Sequence, residues 1–240
     1  MEMFSLPWWS ALAAIILIDL VLAGDNAIVI ALAARRLPPD LQRSAILWGT
    51  VGAIAVRSAM TVGVVWLLKF PGLMLAGGVG LLWIAYKLLD EDGGDGHEGG
   101  TATTFWGAMR TIVIADALMG IDNVLGVAGA AKGSFDLVVL GLLISIPIVV
   151  FGSQIVLKLV QRWPVIIQAG AAVLAYTAAH MIVSEPWLKS YLGGAEPGQQ
   201  TLRVVIYVVA IAGVLGAGWW SARQRQQREE AAESEQAPSP

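Results

Sequence analysis

Apolar residues fill this chain in long unbroken blocks separated by short polar breaks, with no alternation of polar and apolar positions. Blocks longer than ~18 residues read as membrane-crossing helices. The pattern predicts seven of them: Trp8–Ala34, Ala45–Leu68, Gly72–Leu89, Phe105–Ala131, Leu137–Leu157, Val165–Val183 and Leu202–Trp220. The breaks carry stop signals, among them Arg35-Arg36-Leu37-Pro38-Pro39-Asp40 after the first block, Pro71 after the second and Pro164 after the fifth. Strands of a membrane barrel alternate in hydropathy, so a barrel is excluded. The fold class expected is an all-α membrane protein. Its first block lacks a basic leader and is too long for a signal core, so it reads as an uncleaved span.

Polar residues inside two of these blocks break the pattern. The first holds Asp19-Leu20-Val21-Leu22-Ala23-Gly24-Asp25-Asn26, and ninety-seven residues on the fourth holds Asp116-Ala117-Leu118-Met119-Gly120-Ile121-Asp122-Asn123. Each copy is an aspartate, five residues, then Asp-Asn. A charge at the bilayer centre costs ~2.5–3.5 kcal/mol on insertion scales, so four aspartates in two matched places call for a compensating partner.

The repetition extends further. Lys69-Phe70-Pro71 followed by Ala76-Gly77 matches Arg162-Trp163-Pro164 followed by Ala169-Gly170. Spans one to three therefore match spans four to six. Because three is odd, the second unit must enter the membrane from the opposite side, and the seventh span stands outside the symmetry. Such inverted repeats are the usual architecture of secondary transporters, with the site at the midplane between units. The expected organisation is a first three-helix repeat over 8–89, an acidic glycine-rich cytoplasmic loop over 90–104 and a second, inverted repeat over 105–183. An extracytoplasmic loop over 184–201, the seventh helix over 202–220 and a charged cytoplasmic tail over 221–240 complete it. The acidic loop reads as a solvated linker that cannot bury a core, and the tail as a frayed helix running into disorder.

Composition narrows the chemistry. The 240 residues are 57% hydrophobic and 14% charged, against about 25% charged in soluble domains, and mean hydropathy is +0.70. There is no cysteine, which excludes disulfides, thiolate metal sites and cysteine nucleophiles. Arg35, Arg36, Arg43, Lys87, Arg110, Lys158, Arg162, Arg223, Arg225 and Arg228 fall on one side if the N-terminus is outside. The opposite side receives Lys69, Lys132, Lys189 and Arg203, so the positive-inside rule puts the N-terminus outside and the C-terminus in the cytoplasm. The ten tryptophans sit near predicted span ends, as an interfacial belt requires.

On a helix, residues seven apart share a face, so Asp19 and Asn26 point together, whereas Asp19 and Asp25 are separated by a rise of about 9 Å. One helix cannot bring both carboxylates to one ion at ~2.0–2.6 Å unless it unwinds. Antiparallel crossing of spans one and four would bring Asp19 level with Asp122 and Asn123, and Asp25 and Asn26 level with Asp116. Gly24 and Gly120 mark places for close approach or local loosening. Oxygen ligands without thiolate or imidazole favour hard cations, Mg²⁺, Ca²⁺ or Mn²⁺, with alkali cations and protons left open. The bland alternative is interhelical hydrogen bonding alone, which accounts for one aspartate more easily than for two matched sets. Arg57, mid-span in the second helix, reads as a counter-ion for one aspartate or as a tethered cation that takes the site when the metal leaves. Gln154 and Gln168 are candidate oxygen donors that serve equally as helix contacts, and His180 is an interfacial residue with a weak claim to proton coupling.

The doubled motif resembles the paired signatures of the TerC family of integral membrane proteins, and the Gly-Asp-Asn-Ala form is similar to its YjbE-type branch. The resemblance covers residues 8 to 220 and implies manganese export and metal homeostasis in a bacterial cytoplasmic (inner) membrane. It implies Asp19, Asp25, Asn26, Asp116, Asp122 and Asn123 as the metal site, with Mn²⁺ as cargo and no prosthetic group. Ile121 departs from the pattern, standing where the first copy has Gly24. Other readings are a Ca²⁺ or other cation/proton antiporter, or a scaffold for metal-handling partners. No phosphate-binding Gly-x-x-x-x-Gly-Lys-Ser/Thr loop is present, which argues against direct ATP driving. The Tyr-Asp and Gly-x-Gly-Asp pair of intramembrane aspartyl proteases is also missing, so the chain reads as no enzyme. Expected partners are the divalent ion and the lipid bilayer, with no nucleic acid, and a homo-oligomer is left open.

Overall fold

A computed structural model describes residues 4–63, 70–90, 104–131, 134–192 and 197–236. The described residues form helices, with no strand among them: α1 Leu6–Ala34, α2 Pro39–Val62, α3 Leu73–Asp90, α4 Phe105–Ala131, α5 Phe135–Arg162, α6 Val165–Ser184, α7 Pro186–Leu192 and α8 Pro197–Gln236. Among the described residues, α2, α3, α5, α6 and α8 carry stretches long and apolar enough to cross a membrane. The two arms of α1, Leu6–Leu20 and Gly24–Ala34, meet at 48° and add a sixth span when counted together. The protein is therefore a multi-pass, all-helical membrane protein.

Helix ends follow local chemistry. Ser5 opens α1 by accepting the Trp8 backbone N–H at 3.4 Å, one of the donors a helix start leaves unpaired. Pro39 begins α2 with Asp40 in its first turn. Where α1 ends, the buried Gln42 side chain donates to the Arg35 and Leu37 carbonyls at 3.1 and 2.9 Å. Arg35 in turn donates to the Leu88 carbonyl near the end of α3 at 2.8 Å, a basic group on a helix C-terminus.

Several helix ends differ from the sequence expectation: α2 begins at Pro39 and not Ala45, and α5 runs to Arg162 and not Leu157. Residues 64–69 at the end of the expected second span, and 91–103 of the expected acidic loop, lie outside the described residues. The 184–201 segment holds a short helix, α7. The seventh helix does not stop at Trp220 but runs to Gln236. Gln, Glu, Arg and Ala are strong helix formers, so propensity carries the helix past the point where hydropathy ends.

Glycines let the helices of the bundle approach closely at several crossings. A Cβ built on Gly78 of α3 would lie 2.7 Å from the Ala178 carbonyl of α6, and one on Gly141 of α5 would lie 2.5 Å from Ile15 of α1. Helices in lipid associate through such close approaches, since burial from water contributes little there. The most extensive packing is α1 on α5, α2 on α4 and α3 on α6. Val139, Leu143, Phe151 and Ile155 of α5 and Val204, Val208 and Val209 of α8 face outward. Trp9, Trp48, Trp83, Trp106, Trp163, Trp187, Trp219 and Trp220 are exposed as an interfacial belt requires, whereas Trp8 is buried.

Several buried polar groups outside the motifs find partners in the backbone. Thr50, Ser145 and Ser153 each donate to a carbonyl one turn back in their own helix. Glu185, only 1% exposed, accepts the backbone N–H groups of Gly72 at 2.9 Å and Leu75 at 3.2 Å. It thereby ties the end of α6 to the start of α3.

Candidate functional site

The bend in α1 separates the parts of its motif. Asp19 lies near the end of the first arm, and Asp25 and Asn26 lie at the start of the second. A Cβ on Gly24 would meet nothing within 4 Å, so this glycine serves the bend and not a close helix contact. Gly120 of α4, one position before the residue that matches Gly24, lies beside the guanidinium instead, with Arg57 Nε 3.8 Å from a built Cβ.

Arg57, buried in the middle of α2, closes the site. Its Nη1 donates to Asp19 Oδ1 and its Nη2 to Asp116 Oδ1. All three side chains are withdrawn from the surface. Only a guanidinium presents two donors in a planar fork able to join two carboxylates on different helices. The network is incomplete: Asp116 Oδ2, Asn26 Oδ1 and Arg57 Nε are buried without a hydrogen-bond partner. Asn26 and Asp116 line one small void with Met119, in keeping with the expected alignment of Asn26 with Asp116. Buried polar atoms are rarely left unpaired, and each such atom calls for an explanation.

The other half of each motif opens onto a larger space. Asp25 and Asn123 share a cavity of about 440 Å³ with Tyr176, Thr177, His180 and Ser184 of α6. Asp25 Oδ1 accepts the Asn26 backbone N–H at 2.9 Å. His180 Nδ1 lies 3.0 Å from the Tyr207 hydroxyl of α8, and Tyr176 stacks on Tyr207 at 4.9 Å between centroids.

The structure thus gathers Asp19, Asp116 and Asn26 around Arg57, and Asp25 and Asn123 in the adjoining cavity. The Asp122 side chain lies outside the described residues, and with it the expected alignment with Asp19. No group of three Asp, Glu or His side chains is arranged to hold a metal among the described residues. Gln168 faces outward and Gln154 is half-buried; no hydrogen bond ties either to the site. Sequence reasoning missed Thr177 and Ser184, common residues in a transmembrane helix that carry no signal of their own. It also assigned Arg57 one aspartate where the structure gives it two.

The chain matches the integral membrane protein TerC family over residues 4–226. The chain belongs to the TerC family. It is 42% identical to the Bacillus subtilis membrane protein YjbE over 205 residues, covering 85% of this chain and 92% of that one. Over 174 residues it is 26% identical to the Escherichia coli inner membrane protein YgdQ, covering 65% and 73%. The Bacillus subtilis membrane protein YkoY is 24% identical over 242 residues, covering 87% and 71%. No solved structure matches the chain. Within this TerC protein, the doubled Asp…Asp-Asn motif supplies every described carboxylate of the buried site.

Proposed function

We propose that this protein exports Mn²⁺ across the bacterial cytoplasmic membrane by alternating access, as a transporter and not an enzyme. The observation that carries the reading is Arg57 held between Asp19 and Asp116, with unpaired oxygens of Asn26 and Asp116 beside it. A charged pair of acids buried in a membrane bundle is a costly arrangement that structural packing alone does not require. Here a cation already stands between the carboxylates, and it is tethered. A divalent ion arriving through the cavity at Asp25 and Asn123 competes with the guanidinium for Asp19 and Asp116. When the ion leaves, Arg57 returns, and the carboxylates never face each other uncompensated.

The architecture proposed is seven spans, with α1–α3 and α4–α6 as inverted repeats and the apolar part of α8 as the seventh. Its 27 residues make α4 long enough to cross. Two features support the repeat. The packing of α1 on α5 and of α2 on α4 are the counterparts that an exchange of repeats requires. The one guanidinium also meets the same position of both motifs. Charge placement supports an N-terminus outside and a C-terminus in the cytoplasm.

Manganese is preferred over Ca²⁺ and Mg²⁺ on the family resemblance, since carboxylate and carboxamide oxygens accept all three. Export from an inside-negative cell runs uphill by ~2.3 kcal/mol per charge per 100 mV, so proton entry or a steep metal gradient must drive it. The test is the manganese content of cells grown in excess Mn²⁺. Cells expressing the wild type should hold less than cells expressing Asp19→Asn at equal protein level, and equal contents would overturn the proposal.

A further inference from the structure

A second site lies on the lipid-facing side of the bundle, away from the aspartates, where α3 ends and α4 begins. Trp83, Ile84, Lys87 and Leu88 of α3 and Arg110 and Ile114 of α4 line a pocket of about 200 Å³. The two helices run antiparallel here, so Lys87 and Arg110 both sit near the membrane-surface ends of their helices. Trp83 and Ile114 sit one turn deeper, and both are more than half exposed. The Lys87 ammonium lies 5.2 Å from the Trp83 ring, which fixes its stem along the wall of the pocket. Arg110 is exposed and has no ion-pair partner among the described residues.

The pocket therefore has two chemistries in a fixed order, cations at the surface and open apolar walls towards the bilayer centre. A soluble anion would use the first and leave the second empty, and a neutral lipid would do the reverse. We propose that this pocket binds an anionic phospholipid, its phosphate between Lys87 and Arg110 and an acyl chain along Trp83 and Ile114. Basic pockets between spans at a membrane surface hold such headgroups, each cation contributing to the attraction. This inference does not depend on what the aspartates transport.

Native mass spectrometry of the full-length protein from mixed phosphatidylglycerol and phosphatidylethanolamine micelles tests it. Wild type should retain phosphatidylglycerol in preference to phosphatidylethanolamine. Lys87→Gln and Arg110→Gln should each weaken that retention about fivefold, and the double variant about 25-fold, from ~1 kcal/mol per cation. Lys158→Gln/Arg162→Gln, which removes two exposed cations elsewhere, should retain phosphatidylglycerol as the wild type does. Equal loss in that control would mean general surface charge, and unchanged retention in the Lys87/Arg110 double variant would mean no site; either overturns the proposal. Displacement of the lipid by millimolar inorganic phosphate would also overturn it, because the apolar wall would then contribute nothing. Gel filtration and thermal unfolding in detergent confirm that the variants compared are folded.

Discussion

Asp19 and Asp116 occupy the same position in two copies of one motif, and a single guanidinium, that of Arg57, donates to both. Among the described residues, the hydrogen bonds of both aspartates run to Arg57 and not to each other's helix. The cation is the joint.

Removing the cation should be worse than removing the whole network. Arg57→Gln leaves two buried carboxylates without their partner, and breaking a buried pair this way costs about 3–5 kcal/mol. The midpoint of thermal unfolding in detergent should fall sharply. Adding Asp19→Asn and Asp116→Asn to Arg57→Gln removes the uncompensated charge and should recover much of that loss. A triple variant no more stable than Arg57→Gln would mean that the three groups do not act together.

Arg57 and the transported ion should compete. With the guanidinium gone, Asp19 and Asp116 are open to a divalent ion, and binding to the folded state stabilises it by about 2.7 kcal/mol at one hundred times Kd. Saturating Mn²⁺ should therefore raise the unfolding temperature of Arg57→Gln by more than that of the wild type. Equal shifts would place the ion elsewhere.

The motifs were legible in the sequence because charge inside an apolar block is costly, and the two copies announce each other by spacing. Arg57 was visible for the same reason. Its two-sided role was not, because which acid it meets depends on where α1 and α4 cross. The Asp25 cavity was equally hidden: Thr177 and Ser184 become noticeable only once α6 is seen to turn them towards Asp25. Hydropathy placed most helices well but ended α8 at Trp220, because it measures affinity for lipid and not for helix. Glu185 gave only the weak signal of an acid at a span end. Its partners are backbone groups more than a hundred residues away.

Gly24→Ala separates bending from packing. Nothing stands within 4 Å of the added methyl, and alanine favours the helix over glycine by ~1 kcal/mol. The variant should unfold at an equal or higher temperature yet carry Mn²⁺ more slowly, because the bend between Asp19 and Asp25 is stiffened. Unchanged transport would show that α1 works as a rigid bend.

Glu185→Ala should damage the fold and spare the chemistry. It leaves the Gly72 and Leu75 N–H groups without their acceptor, at a cost of ~1–3 kcal/mol for an unsatisfied buried group. Thermal unfolding should register this loss, while Mn²⁺ flux per folded molecule stays near wild type. Glu185→Gln keeps a carbonyl acceptor and should lose less.

The most direct test is Mn²⁺ flux in proteoliposomes, with and without a pH gradient, for the wild type and for Asp116→Asn. The wild type should move Mn²⁺, and Asp116→Asn, incorporated at equal density and folded, should not. Equal flux through the two proteins would contradict the claim that the ion passes between the paired motifs.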